Sequence, residues 1–182
     1  ARFDDPEFRL ERTPLDIRPM LEAMTATFAA RCEQAELTFV SDYPGELPAI
    51  WADEDRLQEV FVNLWENALK YTLPGGTITF SARQSDGTLQ CSVADCGVGM
   101  APQLHERIFE KFVSGPRSPK ERGSKLTVGG LGLGLALAKR IIELHDGSIE
   151  LESAPQEGAT FTVTLPLGPP KELEEALESP AS

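Results

Sequence analysis

Basic residues are scarce in this 182-residue chain: 17 Lys and Arg stand against 29 Asp and Glu, for a formal net charge of -12. That deficit argues against a general nucleic-acid binder, because neutralising a phosphate backbone needs clustered cations. Any phosphate bound here is expected to be held locally. Cysteine is equally thin: Cys32, Cys91 and Cys96 form neither an even disulfide framework nor a CxxC pair. A reducing, cytoplasmic compartment is the simpler expectation, and no structural zinc is implied. No apolar run is long enough to span a bilayer, and no signal-peptide pattern opens the chain. The chain is therefore expected to make no membrane contact, although its lack of an initiator Met suggests a fragment whose parent can still be membrane-bound. Histidine occurs twice. His105 and His145 read as surface or capping residues rather than ligands, and His145, in the last turn of a helix, suits the helix dipole. What remains, 41% hydrophobic and 25% charged residues, is an ordinary globular mixture that suits one domain with a real core.

Residues 1–14 are charged and carry proline, so they read as a linker, with one strand candidate around Phe8–Glu11. A domain follows over 15–167. Ile17, Met20, Leu21, Met24 and Phe28 recur at helical spacing over about 17–35, with Asp16 as N-cap. Alternation predicts strands over Leu37–Tyr43 and Ala49–Ala52. Asp53 can cap a second helix running to Thr72, which Pro74-Gly75-Gly76 ends. Thr77–Gln84 and Leu89–Ala94 make a hairpin around Asp86-Gly87. A short helix is predicted from Pro102 to about Phe112, and a long Gly-, Pro- and Ser-rich stretch from Val113 to Gly130, of the kind that moves or binds something. A helix over Leu133–His145, a second hairpin over Ser148–Ser153 and Ala159–Leu165, and a flexible tail over 168–182, expected as a frayed helix or disorder, complete the chain. The expected fold class is α+β: a two-layer α/β sandwich with a mixed, largely antiparallel sheet packed on helices.

Three segments carry chemistry. Along Leu57–Thr72, Leu57, Val60, Phe61, Leu64 and Ala68 fall on one helix face, while Glu59, Asn63, Asn67 and Lys70 gather on the other. Two carboxamides, a carboxylate and an ammonium in one strip suit a hydrated divalent cation with phosphates beside it. An amphipathic helix with an idle polar side would read the same way. Asp95-Cys96-Gly97-Val98-Gly99 follows a strand, where a carboxylate can accept from an exocyclic amine and glycines let a flat ring approach; an ordinary Asp turn is the alternative. Gly129-Gly130-Leu131-Gly132-Leu133-Gly134 enters a helix, where free N–H groups and the helix dipole can cradle an anion; a hinge is the alternative. It fits neither GxGxxG nor GxxxxGK[ST]. The loop cations Arg117, Lys120, Arg122 and Lys125 can reach phosphates, and Phe109 and Phe112 read as packing that anchors the loop.

Taken in order, NLWENALKYT, DCGVGM, IFEKF and GGLGLGLALAKRIIELHDG resemble the N, G1, F and G2 boxes of the ATP-binding catalytic domain of sensor histidine kinases. That domain belongs to the Bergerat-fold superfamily shared with Hsp90, MutL and type II topoisomerases. The resemblance covers roughly Leu15 to Leu167. It implies that Asn67 ligates Mg²⁺ with Glu59 and Asn63 assisting, and that Lys70 and Tyr71 lie along ATP. It places Asp95 on the adenine amine with Gly97 and Gly99 beneath the ring. Gly130, Leu131, Gly132, Leu133 and Gly134 then hold the phosphates, with Lys125 in the lid between Phe112 and Gly129. Cys96 stands where the family usually has Asn, and Ser114 where an aromatic-Arg pair often follows the F box. ERTPL at Glu11–Leu15 only mimics the family's phosphoacceptor context, with no His upstream. The implied activity is therefore transfer of the γ-phosphoryl group to a histidine on a separate dimerisation domain, absent from this chain, for onward signalling to a response regulator. The isolated domain is expected to be monomeric. Two alternatives stand beside it: an ATPase in which Glu59 or Glu66 activates water, and a nucleotide-dependent regulatory module without transfer.

Overall fold

The computed structural model describes residues 8–111, 113 and 134–178. The chain runs β1 (Thr13–Leu15), α1 (Ile17–Gln34), β2 (Thr38–Asp42), β3 (Ile50–Ala52), α2 (Glu54–Tyr71), β4 (Thr77–Ser85) and β5 (Thr88–Asp95). Two short 3-10 turns follow, then α3 (Gly134–Leu144), β6 (Ser148–Ser153), β7 (Ala159–Pro166) and α4 (Lys171–Glu178). Five strands form one sheet in the order β2-β4-β5-β7-β6. Only β2 and β4 pair in parallel; the other three ladders are antiparallel. A separate two-stranded ladder joins β1 to β3.

Period-two alternation decides which face of the sheet takes the helices. Phe80, Cys91, Val93, Phe161 and Val163 are buried on one side, against Leu21 and Phe28 of α1, Phe61 and Leu64 of α2, and Ile141 and Ile142 of α3. Phe28 stacks on Trp65 at 5.0 Å between ring centroids, and Phe80 meets Trp65 edge-on at 5.4 Å. Removing a ring such as Phe61 from this cluster would cost about 3–5 kcal/mol. The opposite face carries small hydroxyls, and Ser92 and Thr162 share a hydrogen bond of 3.0 Å there. Side chains of that kind tolerate water, so helices are needed on one face only. The sandwich is thus the expected two-layer α+β arrangement.

Both predicted caps form. The Asp16 carboxylate accepts from the Arg18 N–H at 3.2 Å, and Asp53 accepts from the Arg56 N–H at 3.2 Å, which satisfies donors that the first helical turn leaves open. Several expectations need correction. The strand expected around Phe8–Glu11 lies at Thr13–Leu15 instead, because only there does the backbone come alongside Ile50–Ala52. Between Pro102 and Lys111 the single helix is replaced by two 3-10 turns, Pro102–Leu104 and Arg107–Phe109, which bury Ile108 and set Phe109 edge-on to Phe161 at 5.9 Å. The tail needs no correction: it takes the helical of its two expected forms over Lys171–Glu178, with no residue of that helix buried. Of the two readings of His145, surface or capping, the structure bears out the second, with Nδ1 lying 2.8 Å from the Ile141 carbonyl in the last turn of α3. His145 is 1% exposed, and burial pushes its pKa below the ordinary histidine value.

Candidate functional site

The polar strip of α2 is where the sequence places it. Leu57, Val60, Phe61, Leu64 and Ala68 are buried, whereas Glu59, Asn63, Asn67 and Lys70 are half-buried along the other side. Each neighbour of that strip comes from a different motif. At its C-terminal end, Gly97 packs so closely on the Tyr71 carbonyl that no Cβ would fit between them. At its middle, a Cβ on Gly134, the first residue of α3, would stand 3.1 Å from Asn63 Oδ1. The Asp95 loop and the entrance of α3 therefore lie at two points along one helix, which is the layout a long polyanionic ligand with a ring at one end requires.

Asp95 closes β5 and turns its carboxylate back onto the loop. Its Oδ1 accepts from the Gly97 N–H at 2.8 Å. Burial raises its pKa above the ordinary carboxylate value, while hydrogen bonds from the Gly97 and Ala159 backbone pull the other way. The sign follows from linkage. Between the ordinary value and the raised one, the folded chain holds more protons than the unfolded chain, so holding Asp95 ionised at neutral pH costs stability. A group kept charged at such a cost and left half-buried fits recognition better than packing.

The loop after Asp95 is fixed by the β6–β7 turn. Gln156 N–H donates to the Val98 carbonyl at 2.6 Å. Met100 N–H donates to Ser153 Oγ at 2.8 Å, and that hydroxyl donates onward to the Gly158 carbonyl at 2.7 Å. Gly99 has φ +67 and its missing side chain would run into the Ala154 carbonyl. The glycines at 97 and 99 are thus required by backbone packed on backbone, a reason independent of any ring lying on them. Ser153 and Gln156 were not singled out from the sequence, where they look like ordinary hairpin residues. A cleft of about 240 Å³ lies beside this loop, lined by Tyr71, Leu73, Pro74, Cys96, Gly97 and Gln156 among others, and the Thr77 N–H donates to Cys96 Sγ at 3.1 Å.

Tyr71 is 5% exposed, with Lys70 Nζ 5.4 Å from the centre of its ring. Glu59 pairs with Arg56 at 2.8 Å. Glu66 instead faces α1, where it pairs with Arg31. Asn67 Nδ2 is buried and has no hydrogen-bond partner. The oxygen and nitrogen of a carboxamide are assigned by their partners, so this orphan amide can offer an oxygen to a cation or an NH₂ to a phosphate oxygen or a metal-bound water. Among the described residues no three His, Cys, Asp or Glu side chains cluster as a metal site. A cation held here would depend on the amides of Asn63 and Asn67, one carboxylate and its ligand's own oxygens, a donor set that suits Mg²⁺. Phe112, Arg117, Lys120, Arg122, Lys125, Gly129, Gly130, Leu131, Gly132 and Leu133 lie outside the described residues.

Comparison with known proteins gives the same picture. The adaptive-response sensory kinase SasA of Microcystis aeruginosa is 33% identical over 162 residues, which is 88% of this chain and 40% of SasA. The signal transduction histidine-protein kinase BaeS of Escherichia coli is 35% identical over 164 residues, 90% of this chain and 34% of BaeS. The chain spans well under half the length of these relatives. Full-length ShkA, solved in complex with AMPPNP, superposes with a TM-score of 0.77 at 30% identity over 93% of this chain and 34% of ShkA. The catalytic domain of histidine kinase ThkA superposes with a TM-score of 0.73 over 87% of this chain and 97% of that domain; at 24% identity it speaks for the fold. The family of histidine kinase-, DNA gyrase B- and HSP90-like ATPases matches residues 52–169, from the end of β3 through β7, and the chain belongs to that family.

Proposed function

We propose that this chain is the ATP-binding catalytic domain of a sensor histidine kinase, passing the γ-phosphoryl group to a histidine carried by a separate dimerisation domain, from which it moves to a response regulator. The observation that carries the reading is the single helix α2, met by the Asp95 loop at Tyr71 and by the start of α3 at Asn63. The adenine amine donates to Asp95, and the triphosphate runs along α2 towards the N-terminus of α3, whose open N–H groups face anions. Asn67, with Asn63 and Glu59, would hold Mg²⁺, whose chemistry there would be neutralisation of phosphate charge. Lys70 lies beside the same strip as a second source of positive charge. The chain's own part is to bind, orient and neutralise; the accepting histidine arrives from outside. His145 is buried and His105 lies against the Met100 carbonyl at 3.4 Å; neither is presented as an acceptor.

The isolated chain is therefore expected to bind ATP without labelling itself. Incubation with radiolabelled ATP, alone and with a histidine-bearing dimerisation domain, checks this. Acid-labile label should appear only on the added domain. Label on this chain alone, removed by changing His105 or His145, would overturn the division of labour.

Asn67→Ala is expected to weaken ATP binding about tenfold or more with Mg²⁺ present and much less in EDTA, since the side chain serves the metal-bridged state. Calorimetry under both conditions reads the difference, and equal losses would remove Asn67 from the metal.

A further inference from the structure

Residues 8–15 lie on the N-terminal end of α2, where backbone and side chains tie them down. Thr13–Leu15 pairs with Ile50–Ala52, and the Glu11 N–H donates to Asp53 Oδ2 at 2.9 Å, the carboxylate whose other oxygen caps α2. Arg12 bonds the Trp51 carbonyl at 3.4 Å, Asp146 at 3.0 Å and the His145 carbonyl at 3.4 Å. Phe8, upstream of these anchors, places its ring 4.6 Å from the Arg56 guanidinium carbon. The same guanidinium holds Glu59 Oε1 at 2.8 Å. Arg56 is thus gripped between an aromatic face from the N-terminal segment and a carboxylate from the polar strip of α2.

We infer that Arg56 is a positioning residue through which the docked segment at residues 8–15 governs how strongly the nucleotide site depends on its divalent cation. The inference rests on the reading of α2 as the ATP-Mg²⁺ site. The ring of Phe8 restricts the rotamers of Arg56 and favours its cation, and the guanidinium so held offsets the negative charge of Glu59. A Glu59 balanced in this way attracts Mg²⁺ less and repels a triphosphate less. Once the segment leaves, Arg56 loses its backing and Glu59 presents its full charge to the site. Metal-free ATP is then bound more weakly, while ATP with Mg²⁺ is held as well or better. Undocking of residues 8–15 thereby changes the metal dependence of the site without any change in the residues that touch the nucleotide.

The test compares ATP affinity in Mg²⁺ and in EDTA for the full chain and for Arg56→Gln, Arg56→Lys, Phe8→Ala and the double variant Phe8→Ala/Arg56→Gln. The ratio of the two affinities should rise about fivefold in Arg56→Gln, the scale of a partly exposed ion pair. It should rise in the same direction in Phe8→Ala, return towards the parent value in Arg56→Lys, and show no further rise in the double variant. A merely structural role would lower both affinities together and leave their ratio unchanged, as would a loss of folding, which a thermal melt of each variant reports. An unchanged ratio, or Phe8 and Arg56 effects that simply add, overturns the inference while leaving the site in place. An unaltered chain whose ATP affinity ignores Mg²⁺ overturns the reading of the site itself, and this inference with it.

Discussion

Gly99→Ala is expected to cost the fold more than about 4 kcal/mol, at the far end of what single substitutions do. Two effects combine. The backbone at 99 has φ +67, and the new methyl would collide with the Ala154 carbonyl. That carbonyl is no flexible tip: its turn is held by the Gln156 bond to Val98 and by Ser153 bridging Met100 and Gly158. The added atom must therefore displace the Asp95 loop from the β6–β7 turn, so nucleotide affinity should fall along with stability. Gly87→Ala is the control. It shares the left-handed backbone, φ +74, but has open space around it, so it should lose only the conformational penalty of about 1–2 kcal/mol. Thermal unfolding of the two variants should separate them by roughly 5–10 °C. Equal melting temperatures would mean that the loop and turn part easily.

The second large effect concerns acid. His145 Nδ1 lies 2.8 Å from the Ile141 carbonyl, and its Nε2 accepts from the Asp53 N–H at 3.0 Å. An Nε2 that accepts carries no proton, so the ring is neutral with its proton on Nδ1. Protonation would set two donors against each other at the cap of α2. Desolvation is the first cause of the lowered pKa, and Arg12 adds to it, while the Ile141 carbonyl, Asp53 and Asp146 oppose it. Between the lowered value and the ordinary one near 6.5 the unfolded chain binds more protons than the folded chain, so stability rises with pH across that window and is lost as pH falls through it. His145→Gln should cost about 1–3 kcal/mol at pH 7 by disturbing this buried pair of bonds, and it should flatten the slope below neutrality. Denaturant melts between pH 7 and 5 measure both. A variant as acid-sensitive as the parent chain would place the titrating group elsewhere.

These two sites mark where reading from the sequence succeeds and where it stops. Helices α1 and α2, their Asp caps and both hairpins were legible, since caps, turn residues and hydrophobic spacing are local and agree with the tertiary fold. The polar strip was legible for the same reason: two Asn on one face are poor filler for a solvated helix. The segment from Pro102 to Lys111 was misread because its path is set from far along the chain, where Phe161 meets Phe109 edge-on, rather than by its own local pattern. The capping role of His145 was legible but its burial was not, because the other side of its ring is governed by Asp53, 92 residues earlier, and no local pattern announces that. Arg56 escaped notice in the same way, as a cation in a helical first turn whose significance comes from Phe8 and Glu59 together.

The grip of Arg12 also has a consequence for how the chain assembles. Its bonds to His145 and Asp146 span 133 and 134 residues, so they close very long loops, and loop closure is an entropic cost that grows with length. β1 can zip to β3 early, since Ile50–Ala52 follows Thr13–Leu15 closely along the chain. Arg12 must wait until α3 has formed before its last partners are in place. The segment at residues 8–15 thus precedes its partners along the chain and is among the last to lock onto them, and amide exchange in refolding chains should show protection at Glu11 trailing that of the central sheet.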